Sequence, residues 1–291
     1  MAISTNLIKS FQLSALTTAL ALAGCGGGGG NDTLPPPVKT GTIIVTDPIT
    51  NPDSTTTTNL ASVKKVQLVS TSSDFYMNIG DSVELTVYAL NSNNIGVASV
   101  PVSVQITDPS VTGVFSGISP NLVTDDTGKA VIKLDIKSLT NDQKNYLKQN
   151  GLVVTTTVGT VSTSKTLKGT DVNTTTPTPT VTVSNLLLIS DSQNITLVKG
   201  TKVNVTALAV DKDNNIIPNT TIDFNIGNSV LSGIFANSNL SVLTNDRGEA
   251  NLELELKSLS NEQISYLLNT GLTINSTART GSIASNTINL K

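Results

Sequence analysis

The chain has 291 residues, of which 37% are hydrophobic, 13% charged and only 3% aromatic, with a formal net charge of −3 and neither histidine nor tryptophan. Without histidine, Ser-His-Asp and Cys-His enzymes are excluded, and the commonest metal ligand is missing. The small, spread charge argues against nucleic acid as a partner. Abundant Thr, Ser, Asn and Val favour an all-β fold with many turns.

The first 24 residues have the pattern of an export signal. Lys9 supplies a basic residue, residues 11–23 form an apolar run, and small residues precede Cys25. The run is shorter than the about 20 apolar residues of a membrane helix. The stretch Leu-Ala-Gly-Cys at 22–25 resembles the lipobox of bacterial lipoproteins, which implies cleavage before Cys25 and a diacylglycerol on its thiol. The alternative is an ordinary secretory signal with Cys25 near its cleavage site.

Cys25 is the only cysteine of the chain, so it has no disulfide partner within it, and lipidation is its best use. Gly26 follows Cys25, whereas an aspartate at this position usually retains a bacterial lipoprotein in the inner membrane. The resemblance therefore implies sorting to the outer membrane, with the N-terminal lipid as the membrane contact.

Low-complexity stretches divide the rest of the chain. Residues 26–30 are glycines, prolines follow at 35–37, and 41–45 form a short β-prone island in an otherwise polar segment. A Thr/Pro stretch recurs at 174–180. The predicted organisation is a lipoprotein signal peptide at 1–24, a tether at 25–61, a first domain at 62–171, a linker at 172–182 and a second domain at 183–291.

The two predicted domains are copies of each other, because position n matches position n+120 almost without a gap. Such a match favours tandem duplication of one domain-sized unit. The matched pairs include Gly80 and Gly200, Gly113 and Gly233, Phe115 and Phe235, Gly128 and Gly248, Tyr146 and Tyr266, and Gly151 and Gly271.

Within each copy, apolar residues recur at every second position. Residues 83–89 alternate in this way, with Glu84, Thr86 and Tyr88 on the face predicted to be wet, and residues 250–256 do the same. Turn-forming clusters separate such runs, which predicts a β-sandwich in each copy. Four side chains are expected in the cores: Phe115, Leu134, Phe235 and Leu254.

One helix is predicted in each copy. Thr140 and Ser260 are each followed three residues later by glutamine, which is the pattern of a capping box. The helices should end near Asn150 and Thr270, because Gly151 and Gly271 can take the left-handed backbone that terminates helices. The fold class is therefore all-β, with two tandem immunoglobulin-like β-sandwiches that each contain one short helix.

Two stretches that both copies share resemble group 1 bacterial immunoglobulin-like repeats, as found in intimins and invasins. The stretches are Gly-Val-Phe at 113–115 with Thr-Asp-Asp-Thr-Gly-Lys-Ala at 124–130, and Gly-Ile-Phe at 233–235 with Thr-Asn-Asp-Arg-Gly-Glu-Ala at 244–250. The second copy also carries the related stretch 211–219. The resemblance covers most of both copies and implies the sandwich fold and a role at the cell surface or in a stalk.

No catalytic, cofactor or metal residues are predicted. Asp125, Asp126, Asp211 and Asp213 have oxygen ligands that calcium accepts, but they lack the spacing of a calcium loop and suit tight turns. Glu253 and Glu255 share the wet face of one strand, whereas their counterparts Lys133 and Asp135 differ in charge. Solvated positions are therefore expected in place of an acid–base pair, and lipidation of Cys25 is the only predicted site.

These features leave three candidate functions. The favoured one is a non-enzymatic, outer-membrane-anchored surface spacer or adhesion module, with membership of a pilus or adhesin system left open and an envelope or host-surface protein as the partner class. The alternative is an assembly or scaffold lipoprotein that faces the periplasm. A carboxylate-dependent glycosidase would need two converging acidic residues, which a near-identical duplication does not favour.

Overall fold

A computed structural model of the protein describes residues 43–45, 59–119, 121–171, 182–192, 194–236, 240–279 and 283–290, with the backbone alone for 43–45 and 283–290. All of them belong to one compact unit, Thr40–Lys291. The predicted signal peptide, Cys25 and most of the predicted tether and linker lie outside the described residues.

The first sandwich is built from nine strands in the described part of the chain. They are β1 (Ile43–Val45), β2 (Lys65–Ser70), β3 (Asp74–Tyr76), β4 (Ser82–Leu90), β5 (Ser103–Ile106), β6 (Phe115–Ser116), β7 (Lys129–Ile136), β8 (Leu152–Val158) and β9 (Val161–Thr170). Sheet I has the order β2-β4-β7-β6 and sheet II the order β1-β5-β8-β9-β3. Neighbours are antiparallel except for β3 and β9, which are parallel. Strand β1 lies within the range predicted as a tether.

The second sandwich repeats this plan. Its strands are β10 (Asn185–Ser190), β11 (Asn194–Ile195), β12 (Lys202–Val210), β13 (Thr221–Ile226), β14 (Ser241–Leu243), β15 (Glu249–Glu255), β16 (Leu272–Ala278) and β17 (Ile283–Leu290). Sheet III has the order β10-β12-β15 and sheet IV the order β11-β17-β16-β13-β14. The predicted fold class, all-β with two immunoglobulin-like sandwiches, is confirmed.

Strand register is also repeated between the copies. Ser82 pairs with Asp135 in the first sandwich, and Lys202 pairs with Glu255 in the second, so both partners are displaced by 120 positions. The last hairpin differs, since Leu152 pairs with Leu167 but Leu272 pairs with Ile288. The pairing of β17 with β16 is therefore shifted by one residue relative to the pairing of β9 with β8.

Each sandwich encloses its own apolar core, formed by the inward-facing residues of its two sheets. The alternation seen in the sequence places these residues, because successive side chains of a strand point to opposite faces. Phe115, Leu134, Phe235 and Leu254 are all buried, so the predicted core positions are confirmed.

The two predicted helices, α1 (Asn141–Asn150) and α2 (Asn261–Thr270), are present in the structure. Thr140 Oγ1 accepts from the Gln143 amide at 3.2 Å, and the Gln143 side chain accepts from the Thr140 amide at 2.9 Å, which completes the capping box. Gly151 ends α1 with φ of 80°, a backbone angle that residues with a Cβ adopt at a cost.

Each helix closes one end of its sandwich through a tyrosine. Tyr146 and Tyr266 pack against the two cores, as predicted. The Tyr146 hydroxyl bonds Asp108, and Asn228 donates to the Tyr266 hydroxyl. Asp108 and Asn228 each cap a single 3-10 turn as well, so one side chain ties the helix to that turn in each copy.

A buried hydroxyl in the first core supplies a stability prediction. Thr156 Oγ1 is fully buried on β8, and within the described residues it has no hydrogen-bond partner. Because an unpaired buried polar group is destabilising, we expect Thr156→Val to raise the free energy of unfolding by about 1 kcal/mol. Urea denaturation measures the change.

Thr155→Val is the matched control on the same strand. Its hydroxyl lies 2.8 Å from Ser164 Oγ on the exposed face, so no gain is expected. A loss of stability in Thr156→Val would show that the Thr156 hydroxyl is satisfied in solution.

Candidate functional site

The sequence-predicted polar stretches form turns in the structure. Asp125 Oδ1 accepts from the amides of Thr127 and Lys129 at 2.9 and 3.0 Å. Asp211 Oδ1 accepts from the amides of Asp213 and Asn215 at 2.8 and 2.9 Å. These carboxylates are therefore used to close their own loops, which is the turn role expected of aspartate.

Of the three glutamates on β15, Glu253 and Glu255 are the two that the sequence offers as a candidate acid–base pair. Glu253 is exposed and pairs with Lys202 on the neighbouring strand at 2.8 Å. In the first copy, Lys133 and Asp135 are 3.5 Å apart, also at the surface. Glu253, Lys133 and Asp135 are therefore solvated surface positions, as predicted, whereas Glu255 is half-buried. Exposed pairs of this kind contribute at most about 1 kcal/mol.

The most extensive feature beyond the two cores is a contact between the sandwiches, here called the junction. Sheet I and sheet III each turn part of their outer face toward the other sandwich. Eight buried side chains form a third apolar cluster there, the junction cluster: Val69, Tyr88, Leu90, Leu187, Ile189, Leu208, Val210 and Ile216. The junction therefore joins the two sandwiches through a small core of its own.

The prediction that Tyr88 lies on a wet face is wrong, because it is only 3% exposed and packs in the junction cluster. A sequence signal for this existed. The ends of β4 and β12 and most of β10 are continuously apolar, as in Leu-Leu-Leu-Ile at 186–189. Such runs indicate strands that are buried on both faces.

A charged pair lies beside the junction cluster. The Lys129 ammonium bonds the Glu249 carboxylate, and their side chains are only 12% and 10% exposed. The Tyr88 hydroxyl donates to the same carboxylate at 2.7 Å, and Asn245 donates to it at 3.2 Å. The Lys129 ammonium also lies 5.8 Å from the Tyr88 ring centroid, within the range of a cation–π contact.

These contacts control the ionisation of the Glu249 carboxylate. Burial acts to raise the pKa of Glu249, but the bonds from Lys129, Tyr88 and Asn245 outweigh it and hold that pKa below its ordinary value. Burial, followed by the charge of Glu249, raises the pKa of Tyr88 far above its ordinary value. Glu249 is therefore ionised at neutral pH, with Tyr88 as a neutral donor.

A second polar contact joins the loop at 211–215 to the first sandwich. Lys165 Nζ donates to the Asp213 carbonyl at 2.6 Å and to Asn215 Oδ1 at 3.0 Å. Gln67 Nε2 donates to Asn214 Oδ1 at 2.8 Å. Burial lowers the pKa of Lys165, although Asp211 and Asp213 act against it. This loop is thus held by both its own turn bonds and the other sandwich.

A polar groove of 740 Å³ runs along this side of the junction. Both sandwiches line it, and its walls combine apolar side chains, such as Phe75 and Ile216, with hydroxyls and carboxylates from residues that include Ser72, Asp74, Tyr76, Glu84 and Asp211. The groove can offer hydrogen bonds to a polar ligand. Across the described residues, no group of three acidic or cysteine side chains could hold a metal ion.

The second sandwich carries three apolar residues, here called the helix patch, at positions whose equivalents in the first sandwich line one cavity: Val198, the half-buried Ile264, and Leu268. Val198 and Leu268 are 58% and 54% exposed. Ile264 and Leu268 are four residues apart on α2 and share one face. The equivalent residues of the first sandwich are polar or charged and line one cavity: Asn78, Lys144 and Lys148. The patch thus distinguishes the second sandwich from the first.

No helix in the described ranges combines the length and apolar character needed to cross a membrane. Cys25, the predicted lipidation site, lies outside those ranges. The sequence-predicted site and the junction are therefore separate features of the chain.

No protein-family model and no curated protein matches the chain. Among solved structures, it is similar to the Yersinia pseudotuberculosis adhesin InvE, with 17% identity over 81% of this chain and 59% of that one, at a TM-score of 0.28. InvD of the same organism is 15% identical over 81% of this chain and 58% of that chain, at a TM-score of 0.25.

A glycosyl hydrolase family 2 member from Bacteroides cellulosilyticus is also similar, with 15% identity over 74% of this chain and 24% of that one, at a TM-score of 0.30. The chain thus spans less than two thirds of the length of each of these structures. At identities of 17% or less and TM-scores of 0.30 or less, these similarities identify neither a family nor an activity.

Proposed function

We propose that the protein is a lipid-anchored surface lipoprotein of the outer membrane, whose two sandwiches form a non-enzymatic spacer or adhesion arm. The junction is the observation that carries this proposal, because it joins two like sandwiches into one unit of the kind a spacer requires. The Leu-Ala-Gly-Cys stretch at 22–25 supports the anchor, and Gly26 supports the outer membrane.

The surface chemistry of the described residues supports contact in preference to catalysis. Glu253 is exposed and paired with Lys202, and Asp125 and Asp211 are engaged in turns. The helix patch offers exposed apolar area on one sandwich, where the other is polar. Exposed apolar area that lacks a structural role is a common feature of interaction surfaces. A pilus or adhesin assembly is the larger system in which such an arm would serve.

The anchor is tested by Cys25→Ser in the full-length protein. Without the thiol no acyl chain can be attached, so the variant should leave the detergent phase and the membrane fraction while its melting temperature stays unchanged. The unaltered chain, processed in parallel, is the control. Continued partitioning of the variant into detergent would contradict lipidation at Cys25.

The surface location is tested by adding protease to intact cells. Degradation of the protein while a periplasmic marker survives is the expected result. Protection until the outer membrane is permeabilised would instead favour the alternative, a scaffold lipoprotein that faces the periplasm.

The adhesion role is tested at the helix patch with residues taken from the first sandwich. Val198→Asn, Ile264→Lys and Leu268→Lys together install the equivalents Asn78, Lys144 and Lys148 on the same backbone. Each apolar side chain buried at a contact contributes about 1.5 kcal/mol or more, so adhesion of expressing cells should fall at least about tenfold. Unchanged adhesion at equal surface levels would remove the patch from the proposal.

A further inference from the structure

Backbone contacts at the junction are reciprocal between the two copies. The Ile216 amide donates to the Ser70 carbonyl at 2.9 Å, and the Gly96 amide donates to the Ser190 carbonyl at 3.3 Å. Gly96 is the equivalent of Ile216, and Ser190 is the equivalent of Ser70, since each pair is 120 positions apart. When residue i contacts j and the equivalent of j contacts the equivalent of i, the interface has two-fold symmetry.

The apolar contacts follow the same symmetry. Three positions of the junction cluster are used in both copies, by Val69 and Ile189, Tyr88 and Leu208, and Leu90 and Val210. The sandwiches are therefore packed about a pseudo-two-fold axis through the same part of the same sheet. The junction is in effect a dimer interface within one chain.

A residue on a two-fold axis meets its own equivalent. Lys129 and Glu249 are 120 positions apart, the spacing of the repeat, and they form the buried ion pair of the junction. The axis therefore passes between them. This axial position carries opposite charges in the two copies, whereas three of the positions around it are apolar in both.

We infer that the junction face is a self-recognition surface specific for the opposite sandwich, and that the axial Lys129 and Glu249 set this specificity. A first sandwich thus fits a second sandwich and rejects another first one. The inference concerns how the arm is held together, and it is independent of where the protein is located.

Like pairings fail for a physical reason. Two first sandwiches would place Lys129 against Lys129, and two second sandwiches would place Glu249 against Glu249, in a site that is about nine-tenths buried. Buried like charges are strongly unfavourable and are a common device for rejecting wrong partners. The Tyr88 hydroxyl adds to the specificity. In a pair of two second sandwiches, Leu208 would replace Tyr88, and leucine cannot donate a hydrogen bond to Glu249.

The occupant of each face is therefore the other sandwich of the same chain. Because the two sandwiches are linked in one chain, the effective concentration of each for the other is about millimolar. Pairing within the chain consequently dominates over pairing between chains. This leaves the groove and the helix patch as the surfaces open to other molecules.

Hydrogen exchange of the full-length protein in detergent tests the inference. The Gly96 and Ile216 amides donate across the junction, so their exchange reports its opening. Lys129→Glu alone and Glu249→Lys alone should each speed exchange in peptides that contain these amides by about a hundredfold. Peptides from β7 and β15 should keep their protection. The double reversal restores opposite charges but loses the bonds that Tyr88 and Asn245 donate to Glu249, so it should exchange at least about tenfold more slowly than either single reversal.

Lys133→Glu is the matched control, because Lys133 lies on the same strand but is exposed, and it should leave the junction protected. Unchanged exchange in both single reversals, or a double reversal no better protected than either one, would overturn the inference. If the single reversals unfold the whole protein, recovery of the melting temperature in the double reversal supports it and failure to recover overturns it.

Discussion

Replacing Phe235 with alanine is expected to lower the free energy of unfolding by about 3–5 kcal/mol. Phe235 is 4% exposed and lies in the core of the second sandwich. Its backbone forms an isolated antiparallel β-bridge with Leu256, the residue that follows β15. Its removal takes away buried apolar area and leaves a cavity that close-packed neighbours fill only in part. The loss is a large fraction of the stability of a typical domain.

Urea denaturation of the full-length protein measures this loss. Leu243→Ala is the control, because Leu243 is exposed and its truncation should change stability by less than about 0.5 kcal/mol. Phe115→Ala should behave like Phe235→Ala, since Phe115 occupies the equivalent position. Its ring packs edge-on against the ring of Phe75, with the two ring centroids 6.0 Å apart. An unchanged melting temperature in Phe235→Ala would contradict the core assignment.

Replacing Lys129 with methionine should cost about 3 kcal/mol, because it leaves the Glu249 carboxylate buried without its cation. The bonds from Tyr88 and Asn245 remain, which places the cost at the lower end of the range for broken buried pairs. The low pKa of Glu249 should rise at the same time, so the variant should gain stability, relative to the unaltered chain, as the pH falls through the range in which Glu249 protonates.

The companion variant is Lys129→Met with Glu249→Leu. With both charges gone, no buried charge is left unpaired, and the double variant should be within about 1 kcal/mol of the unaltered chain or more stable. A double-mutant cycle in urea yields the coupling energy of the pair. A double variant as unstable as Lys129→Met would mean that apolar residues cannot pack at this position.

These two results would separate stability from specificity. The sandwich cores hold each fold together, and Phe235 represents that contribution. The axial pair adds little net stability when both members are considered together, since the desolvation of two charges offsets their attraction. Its role in the proposed arm is to determine which surfaces meet.

Much of each sandwich could be predicted from the sequence, because the relevant physics is local. Alternation along β7 and β15 follows from the geometry of a strand, and it correctly placed Leu134 and Leu254 in the cores. The capping boxes at Thr140 and Ser260 involve residues three positions apart, so both helices could be located. The repeat of 120 positions then carried each assignment from one copy to the other.

The sequence by itself thus determined two like sandwiches, their cores and their capped helices. It also predicts lipidation of Cys25. Only the tertiary structure decided that the sandwiches meet face to face, that Tyr88 is buried and that Lys129 meets Glu249. The physical reason is that the outer face of a sheet is wet or dry according to what covers it. That cover comes from residues more than a hundred positions away, which neither alternation nor a local motif can indicate.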